Sequence, residues 1–185
     1  MSDPGRLDET GTLIFRRRLP GPIERVWAFL TEADKRARWL AGGEMELWAG
    51  GRVELRFLHA ELTPHLEAIP EQHAELVDGH VMTGRITRIE PPHLLAFTWG
   101  ENGDSPSEVC FELGTDGDEV SLLLTHRRLA DTDATRVSVA AGWHTHLDIL
   151  ADRLAGRAPQ PFWSTHTRYE AEYTQRLTWT EGSPP

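Results

Sequence analysis

Nine histidines are the residues of this chain best suited to chemistry, and two of them, His144 and His146, lie close together in the segment AAGWHTHLDILADRLAG. Imidazole can bind a transition metal or act as a base near neutral pH. On a helix, however, a separation of two residues places the side chains about 200° apart, so this pair cannot hold one metal ion together. We therefore predict no metal site at His144 and His146.

The same segment has a stripe of large apolar residues with the spacing of one helix face. The stripe consists of Val139, Trp143, Leu147, Leu150 and Leu154. His146 lies at the edge of this stripe, three residues after Trp143. Two interpretations stay open: an aromatic pocket wall with His146 as a polar group, or a core tryptophan beside a partly solvated histidine.

His126 is a second candidate, because it alternates in phase with Leu122 and Leu124 in EVSLLLTHRRL. Alternate residues of a strand share one face of the sheet. If the leucines face a cavity, so does His126, where a neutral imidazole could orient a ligand or act as a base. The alternative is a histidine at a strand end whose hydrogen bonds are satisfied.

Residues 59 to 80 combine histidines with carboxylates, which are suitable ligand types for a transition metal. They are His59, His65, His73, His80, Glu61, Glu67, Glu71 and Glu75. Their spacing matches no metal-binding motif, so we interpret the segment as an exposed acidic insertion. No metal and no cofactor is predicted.

Other kinds of chemistry find little support in the chain. No phosphate-binding loop and no G-x-S-x-G motif occurs, and the single cysteine, Cys110, alternates with the inward residues Val109 and Phe111. No catalytic residue is predicted. The net charge of −10 argues against a nucleic-acid partner, and no apolar run approaches the roughly 20 residues of a membrane span. One cysteine and a polar N-terminus indicate the cytoplasm.

Periodicity and turn residues predict the elements that must position these side chains. We expect a loose terminus over 1–10, a first strand over 12–19, and two short helices, IERVWAFLT and EADKRARWL. Further strands are predicted at GGRVELRFL, HVMTGRITRIE (bulged at Gly84), HLLAFTW, EVCFEL and EVSLLLTHRRL. A loop, ENGDSPS, precedes EVCFEL, and Asp116-Gly117 predicts a hairpin. The long helix follows, and a last helix is expected over 167–177.

This order of elements predicts an α+β fold in which a curved, mainly antiparallel sheet wraps around the long C-terminal helix. A cavity between the sheet and the helix follows from that arrangement. Its predicted lining residues are mostly aromatic and lie on the expected inner faces. They are Trp27, Trp39, Phe57, Phe97, Trp99, His126, Trp143, His146 and Leu150.

Five stretches occur in an order that resembles the START-like, or SRPBCC, superfamily and its helix-grip fold. They are PIERVWAFLTEADKRARWL, AGGRVELRF, GRITRIEPPHLLAFTWG, the hairpin SEVCFEL…DEVSLLLTHRRL, and AAGWHTHLDIL. Within the superfamily, the chain resembles the group named after the activator of the 90-kDa heat-shock-protein ATPase. The resemblance implies one domain over 10–157. Residues 59–78 are longer than the family's usual connection and form an insertion or lid, and 158–185 form a C-terminal extension with a short helix.

The leading functional hypothesis is that the cavity binds a small hydrophobic or aromatic molecule. The family name suggests an alternative, a chaperone-associated or stress-response regulatory module, although residues before 12 leave no room for the N-terminal domain of the eukaryotic activator. The superfamily suggests another, a cyclase-, aromatase- or hydrolase-like enzyme that uses His126 or His146. A homodimer through the tail helix or an edge strand is the protein partner that we consider.

Overall fold

Seven antiparallel strands form the scaffold of the computed structural model, which describes residues 2–101, 106–130 and 132–177. The strands are β1 (Arg6–Leu7), β2 (Leu13–Pro20), β3 (Arg52–Phe57), β4 (His80–Glu90), β5 (Leu94–Trp99), β6 (Ser107–Asp116) and β7 (Glu119–Arg127). They pair in the order β1-β2-β7-β6-β5-β4-β3, so β1 and β3 are the edges of an open sheet. The predicted hairpin at Asp116-Gly117 joins β6 to β7.

Within the described residues, four α-helices accompany the sheet: α1 (Ile23–Thr31), α2 (Ala33–Arg36), α3 (Asp133–Leu154) and α4 (Phe162–Leu177). Two short 3₁₀ helices, His59–Glu61 and Glu71–Leu76, lie between β3 and β4. The Thr132 hydroxyl accepts a hydrogen bond from the amide of Thr135 and caps α3. The predicted α+β helix-grip architecture is confirmed.

The long helix packs against the sheet through aromatic side chains. The Trp143 ring centroid lies 5.0 Å from that of Trp99 and 5.8 Å from that of Phe111. On the other face of the sheet, Cys110 forms a separate small cluster with Leu94 and Ala96. Cys110 therefore faces away from the main core, and burial raises the pKa of its thiol to about 11. Among the described residues, none of the helices has the length and apolar character needed to cross a bilayer.

Several element boundaries differ from the sequence prediction. The second short helix ends at Arg36, four residues early, and α4 begins at Phe162 rather than at 167. Gly84 is not the bulge, because it pairs in register with Val53, and the irregularity lies between Ile86 and Arg88. A Cβ at Gly84 would lie 2.1 Å from the Thr98 carbonyl oxygen, which explains the glycine. Residues 102–105 of the predicted loop, and 178–185 of the C-terminal extension, lie outside the described residues.

The prediction of a loose N-terminus is wrong, because residues 2–7 are bound to the rest of the fold. Strand β1 pairs with β2, Arg6 opposite Ile14 and Leu7 opposite Leu13. The Gly5 amide donates to the Tyr173 hydroxyl oxygen at 2.6 Å, and the Ser2 hydroxyl donates to an Asp148 carboxylate oxygen at 2.6 Å. These anchors lie on α3 and α4, which local sequence patterns could not reveal.

His144 is also buried, although the helix periodicity left only His146 near the buried face. Helix α4 covers the outer face of α3, and the His144 ring stacks on the Tyr169 ring with centroids 3.7 Å apart. His144 Nδ1 lies 3.0 Å from the Tyr173 hydroxyl, and Nε2 lies 2.8 Å from the Ser2 hydroxyl. Because α4 covers the face of α3 that lies opposite the apolar stripe, the spacing of the apolar residues does not reveal all the buried side chains of this helix.

Replacing Tyr173 by Phe is expected to reduce the free energy of unfolding by about 1–3 kcal/mol, the usual cost of leaving buried polar groups unpaired. The Tyr173 hydroxyl oxygen accepts from the Gly5 amide and faces His144 Nδ1, so both atoms would lose their partner. Urea unfolding of the two proteins at pH 7 measures the difference. Equal stability would show that this buried hydrogen-bond chain does not anchor the N-terminus.

Candidate functional site

A cavity of about 170 Å³ lies between the sheet, α3, α4 and the segment that joins β3 to β4. Its wall includes five aromatic side chains: Phe57, Trp99, Trp143, Phe162 and Trp163. It also includes five imidazoles: His59, His73, His80, His146 and His166. Exposed Ser138 and His80 belong to the wall, so the cavity is accessible from solvent.

The structure brings four of the nine predicted binding residues into the cavity wall, namely Phe57, Trp99, Trp143 and His146. The other five lie in or against the surrounding core. Trp39, Phe97, His126 and Leu150 are almost fully buried, and Trp27 is partly buried against the core. The alternation of residues along each strand identified the inner face of the sheet correctly. It could not separate the residues that line the cavity from those packed behind them.

Sequence reasoning missed the contribution of α4 and assigned the histidines of the insertion to solvent. His59 is only 9% exposed, and it lies between the strands and Phe162 and Trp163 of α4. A usable signal was present in the tail. Its aromatic and histidine side chains recur at helical spacing, at Phe162, His166, Tyr169 and Tyr173.

His126 positions the indole of Trp143 from behind the cavity wall. The Trp143 indole N–H donates to His126 Nδ1 at 3.0 Å. The imidazole proton must therefore be on Nε2, which lies 3.1 Å from the Ser107 hydroxyl. Complete burial lowers the pKa of His126 to about 3, so the ring is neutral at pH 7. Both ring nitrogens are occupied, and the residue holds Trp143 in place.

His146 belongs to the cavity wall and carries a hydrogen-bond acceptor. Its Nδ1 lies 2.7 Å from the Trp39 carbonyl oxygen. Since a carbonyl can only accept, Nδ1 carries the proton and Nε2 has a free lone pair. Burial lowers the pKa of His146 to about 4, although the hydrogen bond to Trp39 raises it. The imidazole is therefore neutral at pH 7 and a weak base.

His59 brings a second polar atom to the same region. Its ring centroid lies 5.7 Å from that of His146 and 4.7 Å from that of Phe162. Burial, followed by the proximity of His146 and the other histidines, lowers the pKa of His59 to about 3. Its Nδ1 is buried and has no hydrogen-bond partner among the described residues. An unpaired buried nitrogen costs free energy that a polar ligand group could recover.

Gly142 creates part of the space. It lies within α3 and lines the cavity, and a Cβ added there would meet no atom of the described residues within 4 Å. Glycine in the interior of a helix costs about 1 kcal/mol relative to alanine. Since no close packing demands a glycine here, its structural effect is to leave the cavity open beside Trp143.

An open antiparallel sheet with a long C-terminal helix across it, and two short helices after the first long strand, defines a helix-grip protein of the START-like superfamily. The family model described as "Activator of Hsp90 ATPase homolog 1-like protein" matches residues 20–155. The chain therefore belongs to this family, as the sequence resemblance indicated.

Solved structures support the same assignment. A Bordetella parapertussis protein, determined by solution NMR, is 51% identical, with a TM-score of 0.80 over 96% of this chain and 91% of its own. CalU16 from Micromonospora echinospora is 26% identical, with a TM-score of 0.63 over 97% and 96% of the two chains. The Aha1 dimer from Colwellia psychrerythraea shares the fold, with 17% identity and a TM-score of 0.59 over 77% and 95%. No curated protein matches the chain.

Proposed function

We propose that this protein binds a small aromatic molecule that carries a hydroxyl group, such as a simple phenol, in the cavity between the sheet, α3 and α4. The observation that carries the proposal is Gly142, which leaves space at the centre of α3 beside the aromatic wall. A packed core would fill such a position, because interiors are normally close-packed.

Size and wall composition favour a ligand with one ring. An apolar cavity of about 150 Å³ is large enough to bind benzene, and this cavity measures about 170 Å³. Trp143 and Phe162 offer ring faces and edges, with which an aromatic ligand interacts more favourably than an aliphatic ligand of equal area.

Two imidazole nitrogens favour a polar group on that ring. The lone pair of His146 Nε2 can accept a hydrogen bond from a ligand hydroxyl, and His59 Nδ1 lacks a partner among the described residues. A phenol would satisfy these needs while its ring stays among apolar side chains. Benzene or toluene would leave the nitrogens unpaired, so we expect weaker binding of both.

The enzymatic alternative requires an imidazole that is basic at neutral pH. Burial lowers the pKa of His126 to about 3 and that of His146 to about 4. Both nitrogens of His126 are already hydrogen-bonded to Ser107 and Trp143. These features suit the positioning of a ring and the recognition of a hydroxyl better than general-base catalysis.

Replacing Gly142 by Leu is expected to abolish phenol binding, because the new side chain would occupy the open space beside Trp143. The measurement is a titration of ¹⁵N-labelled protein with phenol, in the presence of a chelator, that follows the indole N–H signal of Trp143. Ala134→Leu is a matched control, since Ala134 is exposed on the first turn of the same helix. Equal phenol affinity in the Gly142→Leu variant and the wild type would place binding elsewhere.

A further inference from the structure

We propose that His73, His166 and Glu170 bind one divalent transition-metal ion at the edge of the cavity. The potential ligand atoms of these three residues all lie within 4.8 Å of one another. The inference goes beyond the proposed ligand binding and depends on different atoms, and the ion would lie beside the phenol site rather than within it.

Two elements distant in sequence bring the three side chains together. His166 and Glu170 are four residues apart on α4 and therefore share one helix face. His73 comes from the 3₁₀ segment between β3 and β4. Glu67, in the same connection, fixes this segment to α4, because its carboxylate accepts from the amides of Trp163 and Ser164 at 2.8 and 3.1 Å.

The three side chains lie close together but form no well-made hydrogen bond with one another. His73 Nε2 lies 3.3 Å and His166 Nδ1 lies 3.6 Å from oxygens of the Glu170 carboxylate. Hydrogen bonds between such groups prefer about 2.7–3.2 Å. Both nitrogens are buried and have no hydrogen-bond partner among the described residues. A metal ion between the three would provide the partner that both nitrogens lack and would bind the Glu170 carboxylate beside them.

Neighbouring aromatic rings fix the orientation of both imidazoles. The His73 ring stacks on the Trp163 ring, with centroids 5.4 Å apart and planes at 24°. The His166 ring stacks on the Phe162 ring, with centroids 5.9 Å apart and planes at 19°. Ligands held in place before the metal arrives lose less side-chain entropy on binding.

Two imidazoles and one carboxylate form the ligand set that Zn²⁺ and Fe²⁺ adopt where coordination positions stay open. At Zn–N distances of about 2.0–2.1 Å, tetrahedral ligand atoms lie about 3.3 Å apart, so a modest closing of the present arrangement suffices. His73 and His166 also belong to the cavity wall. The open positions of a bound ion would therefore lie next to the cavity.

The sequence predicts no metal because neither the pair His144 and His146 nor the histidines and carboxylates within residues 59–80 have the local spacing of a metal site. The structure pairs just one of those residues, His73, with two donors from α4. His65 remains exposed, and Glu67 is occupied at the N-terminus of α4. The three ligands therefore come together only in the tertiary structure, and no local sequence motif marks them.

Calorimetric titration of chelator-treated protein with Zn²⁺ tests the proposal, and we expect one ion per chain. His73→Asn, His166→Asn and Glu170→Gln should each weaken Zn²⁺ binding by more than the roughly 10- to 100-fold that loss of an outer-shell partner causes. His65→Asn and Glu172→Gln are the matched controls and should bind like the wild type. Titration with Co²⁺ should give visible absorption of a low-symmetry site, which the three ligand variants lose.

The proposal would be overturned if the wild type bound no Zn²⁺, or if the ligand variants and the controls bound it equally. Circular dichroism of each variant shows whether it folds, and the three ligand variants lie on two separate elements, so failure of one to fold leaves the others decisive. Because the phenol titration is performed with chelator and the Zn²⁺ titration without phenol, either result can fail alone.

Discussion

The free energy of unfolding is expected to fall by up to about 4 kcal/mol per pH unit as the pH decreases from 6.5 to about 4.5. This amount is the contribution of three histidines in and behind the cavity wall, and His144, whose pKa burial lowers to about 4, adds to it in the same direction. Burial lowers the pKa of His59 and His126 to about 3 and that of His146 to about 4. The unfolded chain, in contrast, protonates each of them near its ordinary pKa of about 6.5.

The free energy of unfolding falls in acid because the folded and unfolded chains bind different numbers of protons. Below pH 6.5 the unfolded chain takes up protons at these rings that the folded chain excludes, so acid favours unfolding. Above pH 6.5 neither state is protonated at these rings, and their contribution is constant. Each group contributes up to about 1.4 kcal/mol per pH unit, and domains of this kind are stable by only roughly 5–15 kcal/mol. We therefore expect the protein to lose its fold near pH 4–5.

Urea unfolding of chelator-treated protein at pH 7, 6.5, 6, 5.5 and 5 measures the slope. His126→Gln removes one of the three groups and should reduce the slope by about 1.4 kcal/mol per pH unit. His65→Gln removes an exposed histidine and should leave it unchanged. Stability that does not change between pH 6.5 and 5 would contradict the neutral, buried state of the cavity histidines.

Replacing Arg36 by Met is expected to reduce the free energy of unfolding by about 3 kcal/mol, because two buried carbonyls and one partly buried carbonyl would lose their donor. The Arg36 guanidinium is 1% exposed and donates to the carbonyl oxygens of Leu30, Thr31 and Gly43 at 3.4, 2.9 and 2.5 Å. Burial lowers its pKa to about 10, so it stays charged at pH 7. Methionine keeps an unbranched apolar stem, but it lacks the guanidinium and donates nothing.

The same substitution should weaken phenol binding. Arg36 connects the end of α1 to the turn that carries Trp39, whose carbonyl oxygen accepts from His146 Nδ1. If that turn moves, His146 loses the hydrogen bond that fixes its tautomer. Arg25→Met, at an exposed position of α1, is the control and should change stability by less than about 0.5 kcal/mol. If the Arg36→Met variant lost less than about 0.5 kcal/mol of its free energy of unfolding, other groups would hold the turn.

The sequence predicted elements wherever a local rule determines them. The sequence predicts the bounds of β4, His80–Glu90, because alternation and a following proline pair delimit the strand. The stripe predicted for α3 is buried at Trp143, Leu147, Leu150 and Leu154, and Val139 is partly buried against the core. These features depend on neighbours within one element, which sequence periodicity records.

Features created between distant elements were not predictable in the same way. The burial of His144 depends on Tyr169 and Tyr173 of α4. The cluster of His73, His166 and Glu170 forms only when the insertion packs on that helix. Sequence separation hides such contacts, so the candidate metal ligands and half of the cavity wall required the tertiary structure.

Crystals of the protein soaked with 4-bromophenol provide the most direct test of the central claim, since bromine gives an anomalous signal that locates the ligand. We predict one bromine peak per chain inside the cavity, among Trp143, Phe162 and Gly142, with the ligand hydroxyl within hydrogen-bonding distance of His146 Nε2. The Gly142→Leu variant should show no such peak. Bromine bound only at other sites, or an equal peak in that variant, would contradict the assignment of the cavity as the ligand site.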